Sequence, residues 1–200
     1  MLSTHSFQAL RRGLRTKAAA AVCLAMAGLM ALAALGQPSP ADYDVKAGYL
    51  FNFGKFLRIS GDAITPRRAS FDICVLGHDY MGQVLDDLAA NQSIDGRPVR
   101  ILRVADAYAA SECDIVFISP DEGDGIPLDL DAIGRADVLT VGDSPDFLKY
   151  GGMIQFVVKD NHVRFAVNLE AVNRTHLVLS SELLRVASSV TGRPPAEAQP

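Results

Sequence analysis

The sequence predicts an α/β fold: a single domain with a mainly parallel sheet, helices on both faces of the sheet and an antiparallel C-terminal hairpin. Two observations predict this class. Short apolar runs alternate with segments of helical spacing, which is typical of parallel strands joined by helices. In addition, two strand-like runs near the C-terminus are joined by only Asp160 and Asn161, and so short a connection requires an antiparallel pair.

The first 36 residues have the composition of a signal peptide. Four basic residues precede the apolar run AAAAVCLAMAGLMALAAL, and small residues follow it. The run is long enough for an uncleaved membrane anchor, but its alanine content favours cleavage, near Gly36 or alternatively at Ala33. We therefore divide the chain into a signal peptide (1–36), a linker (37–41), an α/β domain (42–191) and a disordered tail (192–200).

Cleavage at this position leaves an acidic chain. The removed segment holds four basic residues and no acidic one, so 15 Lys and Arg remain against 23 Asp and Glu, a formal charge of −8. Binding to nucleic acid requires a basic surface that neutralises phosphates, and we therefore expect no nucleic-acid partner. Since no second long apolar run follows, we expect that the processed chain does not span a membrane.

The segment DYDVKAGYLFNFGKFLRI (42–59) predicts the first helix. Its apolar side chains recur at intervals of three and four residues, as on one face of a helix. On a helical projection, Phe51 lies away from the centre of that face, near Lys55 and Arg58. We expect these three residues to contribute to a partner or dimer surface. The alternative for Phe51 is a second contact with the protein's own core.

Strands and helices then alternate. The runs FDICVLG, GRPVRILRV, CDIVFIS and DVLTVGD predict strands, and DYMGQVLDDLAANQ, DAYAASE and LDLDAIGRA between them predict helices. His78 follows the first of these runs and Ser119 ends the third. Doubly wound sheets bind ligands at the carboxyl ends of their strands, so His78 and Ser119 mark a candidate ligand pocket. The interpretation that we favour for His78 is a turn in which Asp79 caps the next helix.

The stretch KYGGMIQFVVKDNHVRFAVN (149–168) predicts the hairpin and not a phosphate-binding loop. A two-residue turn places Lys159 opposite His162, and the facing pairs that follow put six apolar residues on one face. These are Ile154, Phe156, Val158, Val163, Phe165 and Val167. A phosphate loop leads into a helix N-terminus, whereas Gly151 and Gly152 lead into a strand. We expect the glycines to form a bend that needs a positive φ or a close backbone approach.

The segment LEAVNRTHLVLSSELLRVASSV (169–190) completes the predicted domain. It predicts a short helix, a brief strand at Leu177 to Leu179, and a last helix capped by Ser180 or Ser181.

Cys74 and Cys113 are the cysteines that remain after signal cleavage. An even number of cysteines in an exported protein favours a disulfide, and two buried thiols are the alternative. A separation of 39 residues, with no histidine partners nearby, excludes a CxxC redox pair or a zinc set. In simple register between neighbouring strands the two cysteines are about three residues out of step, so the bond requires a stagger between the strands.

No motif for catalysis was found in the sequence. The spacings GxSxG, HExxH and SxxK do not occur, and the acidic loop PDEGDGIPLDLD (120–131) lacks the spacing of a calcium loop. Asp143 follows a predicted strand, but no nucleophile or base can be named as its partner. We therefore expect a protein that is not an enzyme and that holds no metal or cofactor.

Taken together, the segments resemble the periplasmic YfiR-like family. The matching segments are KAGYLFNFGKFLRI, FDICVLG, GRPVRIL, ECDIVFIS, VLTVGDSPDFLKYGGMIQFVVKDNHVRFAVNLEAV and LVLSSELLRVAS, in family order over nearly all of the processed chain. The resemblance implies a periplasmic domain, commonly dimeric, that represses a membrane-bound diguanylate cyclase of the YfiN type by binding its periplasmic sensor domain. Release of the cyclase under envelope or reductive stress would raise cyclic di-GMP and promote biofilm formation.

The resemblance also bears on the cysteines and leaves a second class of function open. Cys74 and Cys113 resemble one of the family's cysteine pairs, while a further pair near the glycine bend has no counterpart here, so a purely structural bridge is the alternative to redox sensing. The alternative function is a periplasmic receptor for a small ligand, with its pocket near His78 and Ser119.

Overall fold

An eight-stranded sheet organises the protein, and a separate pair of short strands accompanies it. The computed structural model describes residues 40–60, 68–134 and 136–192. The predicted signal peptide and the predicted tail from residue 193 onward lie outside these ranges. The described residues belong to one compact unit that begins at Pro40. Among them, no helix combines the length and the apolar character that crossing a membrane requires.

The helices are α1 (Pro40–Phe56), α2 (Gly82–Ala89), α3 (Ala107–Ala110), α4 (Ile126–Ile133), α5 (Leu169–Val172) and α6 (Ser181–Val186), and a 3-10 segment (Pro120–Gly125) precedes α4. The strands are β1 (Leu57–Ile59), β2 (Phe71–Leu76), β3 (Ser93–Ile94), β4 (Arg97–Val104), β5 (Ile115–Ile118), β6 (Leu139–Gly142), β7 (Ile154–Lys159), β8 (His162–Asn168), β9 (Leu177–Leu179) and β10 (Ser189–Thr191). The first helix therefore already includes the last two residues that we assigned to the linker.

The strand order in the large sheet is β10-β8-β7-β6-β5-β2-β4-β3. Neighbours from β4 to β7 are parallel, whereas β7 with β8 and β3 with β4 are antiparallel. From β2 the chain first moves to β4 on one side and then to β5 on the other, so the winding reverses between β2 and β5. The α/β class with a mainly parallel sheet and a C-terminal hairpin is confirmed.

Helices cover both faces of the sheet, as predicted. The alternation along β5 shows the division: Ile115 and Phe117 belong to one core, and Val116 and Ile118 belong to the other. We call the side that contains α1, α2 and the hairpin core the front face. The side that contains α3 and α4 is the back face.

The hairpin has the predicted register throughout. Lys159 faces His162, and the pairing continues to Ile154 opposite Val167. Five of the six apolar residues are buried in the front core. The expectation that Val158 joins them is wrong: this residue lies two positions before the turn and is 62% exposed, although Val163 opposite it is buried.

Two segments that we predicted as helix end in strands. Helix α1 stops at Phe56, and Leu57 to Ile59 form β1, which pairs with β9 more than a hundred residues later in the chain. The last helix is capped by Ser180, whose hydroxyl accepts from the N–H of Leu183 at 3.3 Å. It ends at Val186, and β10 then pairs with β8. In both places the strand partner is distant in sequence, so local spacing does not reveal it.

The paired glycines form the expected bend. Gly151 has φ of +100°, which side chains disfavour. A Cβ at Gly152 would overlap the ring of Phe147, which is fully buried. The first glycine is needed for its conformation and the second for a close packing contact.

Candidate functional site

The two cysteines form a disulfide in the back core. Strands β2 and β5 are not staggered, since Ile73 faces Ile115 and Cys74 faces Val116, so the expectation of a stagger is wrong. Cys113 lies in the connection between α3 and β5, outside the strand, and its Cα is 6.2 Å from that of Cys74. Cys74 is 0% exposed and Cys113 is 3% exposed. The bond therefore fastens the end of α3 to β2 in a site shielded from solvent.

A buried ion pair lies at the carboxyl end of β6. Lys46 on α1 brings its Nζ to 2.6 Å from Oδ2 of Asp143, which follows β6. The two side chains are only 4% and 6% exposed. The second carboxylate oxygen of Asp143, Oδ1, is buried and has no hydrogen-bond partner in the described part of the chain. The pair links α1 to the sheet at a place from which water is nearly excluded.

Aromatic rings lead from this pair to the surface. The Lys46 ammonium lies 4.2 Å from the centre of the Tyr43 ring, and Tyr43 stacks on Tyr80 with ring centres 4.8 Å apart. The hydroxyl of Tyr80 donates to Oδ2 of Asp121 at 2.6 Å. Burial and the negative charge of Asp143 raise the pKa of Tyr43, so its hydroxyl keeps its proton. We call these five residues, Tyr43, Lys46, Tyr80, Asp121 and Asp143, the edge cluster.

His78 and Ser119 flank the edge cluster but have different surroundings. The ring of His78 is exposed and lies edge-on to Tyr80, with ring centres 4.5 Å apart. Ser119 is fully buried, and its hydroxyl accepts from the N–H of Asp121 at 3.4 Å, at the start of the 3-10 segment. Ser119 thus has a capping contact of its own. A ligand pocket formed by both residues stays a prediction.

The turn around His78 has the form that we favoured. Oδ1 of Asp79 accepts from the N–H groups of Met81 and Gly82, at 2.8 and 2.9 Å, where α2 begins. Oδ2 of Asp79 accepts from Arg103 on β4 at 2.6 Å. The aspartate therefore satisfies two backbone N–H groups at the start of α2, whose N-cap position is Met81, and also ties this helix to the sheet.

A groove and a small void lie elsewhere in the described part of the protein. A groove of about 360 Å³ lies beside α4, between Leu130, Tyr150 and Arg174. A void of about 20 Å³, enough for one water molecule, lies between β1 and the buried part of Arg97. Neither is lined by His78 or Ser119.

Helix α1 presents only a narrow strip to solvent. Its buried surface is wide because α1 packs against α2 as well as against α6 and β8. Phe51 is 5% exposed and belongs to the front core. The expectation that it lies off the buried surface is therefore wrong, and the core alternative is correct. The exposed residues of the strip are Asp44, Val45, Asn52 and Lys55, and we call them the α1 strip.

The other two residues predicted for a partner surface are exposed and close together. The ammonium of Lys55 lies 4.6 Å from the centre of the Phe51 ring. The Arg58 side chain is 54% exposed, donates to the carbonyl of Lys55 at 3.0 Å and lies 3.8 Å from Asp95. The three predicted residues therefore form one group, with Phe51 beneath it. Their contact with a partner remains a prediction.

Sequence reasoning missed the role of Lys46. The prediction placed one apolar face on α1, but a second stripe of Tyr43, Ala47 and Leu50 is also buried. Lys46 lies within this wider buried surface and finds its counter-charge 97 residues away. The second apolar stripe was a signal in the sequence that the helix has little exposed surface.

The described residues offer no arrangement for a metal ion, since no group of three or more His, Cys, Asp or Glu side chains is suitably placed among them. In the acidic loop, Oδ2 of Asp129 is buried and has no hydrogen-bond partner within the ranges that the structure describes, and burial raises the pKa of this carboxyl.

Comparison with known proteins places these features in context. A family model described as YfiR/HmsC-like matches residues 43–188. No curated protein sequence matches the chain. Similar solved structures include a conserved domain protein from Vibrio cholerae O1 biovar El Tor str. N16961, with 11% identity and a TM-score of 0.51 over 72% of this chain. Another is the ABC domain in complex with L-Trp from Streptococcus pneumonia, with 11% identity and a TM-score of 0.50 over 72% of this chain.

These two likenesses show the fold alone, because the identities are so low. The matched region spans 59% of the first of these chains and 60% of the second.

Proposed function

Because the chain belongs to the YfiR/HmsC-like family, we propose that it is a non-enzymatic periplasmic repressor of a membrane-bound diguanylate cyclase of the YfiN type. In this proposal the protein binds the periplasmic sensor domain of the cyclase and so lowers cyclic di-GMP signalling and biofilm formation. The observation that carries the proposal is the family match over residues 43–188, which runs from the first turn of α1 past the end of α6.

The proposed contact surface is the α1 strip together with Arg58. It is exposed and it ends in two basic side chains, and it runs from α1 to Arg58 on β1, both of which pack on the front core. Phe51 contributes from below, because its ring supports the Lys55 ammonium. This role differs from direct contact with the partner.

A capture experiment tests the proposal. The processed protein is immobilised under oxidising conditions and incubated with detergent-solubilised membranes from its own cells, and bound proteins are identified by mass spectrometry. We expect a GGDEF-type cyclase in the eluate. Cyclic di-GMP should rise in cells that lack the protein. If no such cyclase is captured, or if deletion leaves cyclic di-GMP unchanged, the proposal is wrong.

Charge reversal then locates the surface. Lys55→Glu combined with Arg58→Glu should reduce cyclase capture at least about fivefold, since it reverses the charge that this surface presents to the partner. Lys159→Glu combined with Arg164→Glu, at two exposed positions of the hairpin, is the matched control and should leave capture unchanged. Equal losses in both variants would exclude a specific role for the α1 strip.

One observation favours a second candidate, a receptor for a small ligand. The winding of the sheet reverses between β2 and β5, where such folds bind ligands. The edge cluster next to this point contains a buried carboxylate oxygen, Oδ1 of Asp143, that has no hydrogen-bond partner among the described residues. A solved structure of similar fold is described in complex with L-Trp, which motivates amino acids as the first probes. A rise in melting temperature with L-tryptophan or another amino acid, in the absence of cyclase, would support this function. No shift with any of the twenty would count against it.

A further inference from the structure

We propose that the chain forms a two-fold symmetric dimer in which the free edges of β4 pair antiparallel, centred on Leu102. The inference rests on the uncovered part of the β4 edge and on a register in which this part can pair with a second copy of itself. It does not depend on which surface contacts the cyclase.

The free edge exists because β3 covers only the beginning of β4. Ser93 faces Pro98 and Ile94 faces Arg97, and the N–H of Val99 donates to the carbonyl of Gln92 at 3.0 Å. From residue 100 to residue 104, no strand in the described ranges pairs with the outer side of β4. Unpaired strand edges of this kind are templates for pairing with another chain.

The direction of the backbone groups on this edge follows from the pairing with β3. Arg97 and Val99 point their N–H and C=O groups outward, and these directions alternate along a strand. Ile101 and Arg103 must therefore also point outward, whereas Arg100, Leu102 and Val104 point towards β2. We call residues 100 to 104 the free window of β4. This window thus offers two N–H groups and two C=O groups to a partner.

One register lets this window pair with itself. Gln92 closes it at one end, and at the other end the chain leaves the sheet for α3. With Leu102 opposite its own copy, Ile101 of each chain faces Arg103 of the other, and the two pairs exchange four hydrogen bonds. The Leu102 residues form the close pair at the centre, with Cα atoms about 4.5 Å apart.

Charged side chains often protect sheet edges, but here the arginines in the window are already engaged. Arg100 binds Asp72 through Nε and Nη2, at 2.8 and 2.7 Å. Arg103 binds Asp79 and Asp86 on the front face. The guanidinium groups are therefore drawn onto the faces of the sheet and neutralised. Repulsion between copies is reduced in consequence.

The ends of the window also complement each other in charge. The proposed register sets Arg100 of one copy opposite Val104 of the other, and Asp106 follows Val104 by two residues. Each arginine thus approaches the acidic end of the other window, and no like charges face each other directly.

The symmetry determines which faces of the two copies lie on the same side of the dimer. Because the paired Leu102 side chains point to the same side of the joined sheet, the two-fold axis is perpendicular to the sheet, and both front faces lie on one side. The two copies of α1 would therefore be presented together to a single partner or pair of partners.

A matched pair of variants tests the interface. The association of the processed, oxidised chain is measured by sedimentation equilibrium without cyclase. Ile101→Pro removes an outward N–H from each chain, and with it two of the four hydrogen bonds, so we expect the dimer dissociation constant to rise more than about tenfold. Ile101→Ala removes the side chain but keeps the N–H, and we expect a change of less than about threefold. A wild-type chain that stays monomeric, or an equal effect of both variants, would overturn the proposal.

Hydrogen exchange provides a test that needs no variant. The amides of Ile101 and Arg103 should exchange more slowly as the wild-type concentration is raised through the dimerisation range, because they become bonded in the dimer. Rates that are independent of concentration would exclude the β4 interface even if Ile101→Pro does not fold. Cyclase capture by a monomeric variant would leave the proposed function intact, so failure of the two proposals can be told apart.

Discussion

Two ion-pair clusters hold the front helices onto the sheet, and they differ mainly in their access to water. Lys46 and Asp143 fasten α1 to the end of β6, and their side chains are 4% and 6% exposed. Arg103 on β4 binds Asp79 and Asp86 and so fastens α2, but Arg103 is 40% exposed and Asp86 is 36% exposed. Similar charges at similar distances should therefore have very different energetic roles. We call Lys46 with Asp143 the dry cluster, and Arg103 with Asp79 and Asp86 the wet cluster. Loss of one partner in the dry cluster leaves the other charge buried and unhydrated, whereas in the wet cluster water solvates the charge that remains.

The largest effect is expected from breaking the buried pair. Lys46→Met leaves the Asp143 carboxylate buried without a counter-charge, and we expect it to lower the free energy of unfolding by about 3–5 kcal/mol. Asp143→Ala should cost a similar amount, because it leaves the Lys46 ammonium unpaired. Urea denaturation of each purified variant measures the loss.

The double variant Lys46→Met with Asp143→Ala distinguishes pairing from simple packing. It removes both charges, so it should lose clearly less stability than the sum of the two single variants. Lys55→Met on the exposed strip of the same helix is the matched control, with an expected change within about 0.5 kcal/mol. Additive losses in the double variant would show that the charges are not coupled.

Access to water also explains which parts of the molecule could be predicted. The register of the hairpin followed from the two-residue turn and from alternating apolar residues, both of which are local. Helices α2 and α3 were likewise predicted from the helical spacing of their apolar residues. The exposed side of helix α1 was harder to predict, because the helix is buried on most sides. A sequence with several apolar stripes does not reveal which residues of the helix are exposed. Phe51 was misplaced for this reason.

Contacts between residues that are distant in the sequence set the other limit on prediction. The strand β1 could not be distinguished from a continued helix without β9, and the position of Cys113 depended on how α3 returns to the sheet. Asp143 was recognised at a strand end, but Lys46 could not be assigned to it across 97 residues. The residues that follow the strands at the carboxyl edge of the sheet could therefore be predicted, whereas the buried ion pair between Lys46 and Asp143 could not.

A smaller effect is expected in the wet cluster. Arg103→Met removes the hydrogen bonds to Asp79 and Asp86, and we expect a loss of about 1 kcal/mol, since solvent screens these partly exposed charges. Arg103→Lys keeps the charge but not the planar fork, so it should fall between the wild type and Arg103→Met. Urea denaturation at low protein concentration, where the β4 edges are not paired, measures these values. A loss as large as that of Lys46→Met would contradict the role we assign to burial.

The wet cluster should also respond to acid through Asp79. Burial alone would raise the pKa of this carboxyl, but hydrogen bonds from Gly82, Arg103 and Met81 hold the pKa below its ordinary value. A carboxyl whose pKa is lowered by folding stabilises the folded state above its unfolded pKa, about 3.9. This contribution is lost as the pH falls through the folded pKa. We expect the stability of the wild type to fall more steeply below about pH 4 than that of Asp79→Asn, and parallel curves would exclude Asp79 as a source of acid sensitivity.

The smallest effect is expected at Lys149 and Asp146, which complete the comparison. Their Nζ to Oδ1 distance is 2.6 Å, the same as between Lys46 and Asp143, but their side chains are 77% and 49% exposed. Lys149→Met is the same substitution as Lys46→Met at the same distance from a carboxylate, so burial is the main variable. We expect no measurable change in the urea midpoint for Lys149→Met, because water and salt ions replace the lost contact. A marked loss at Lys149 would mean that the short distance itself stabilises the fold, and the contrast between the dry and wet clusters would then need another cause.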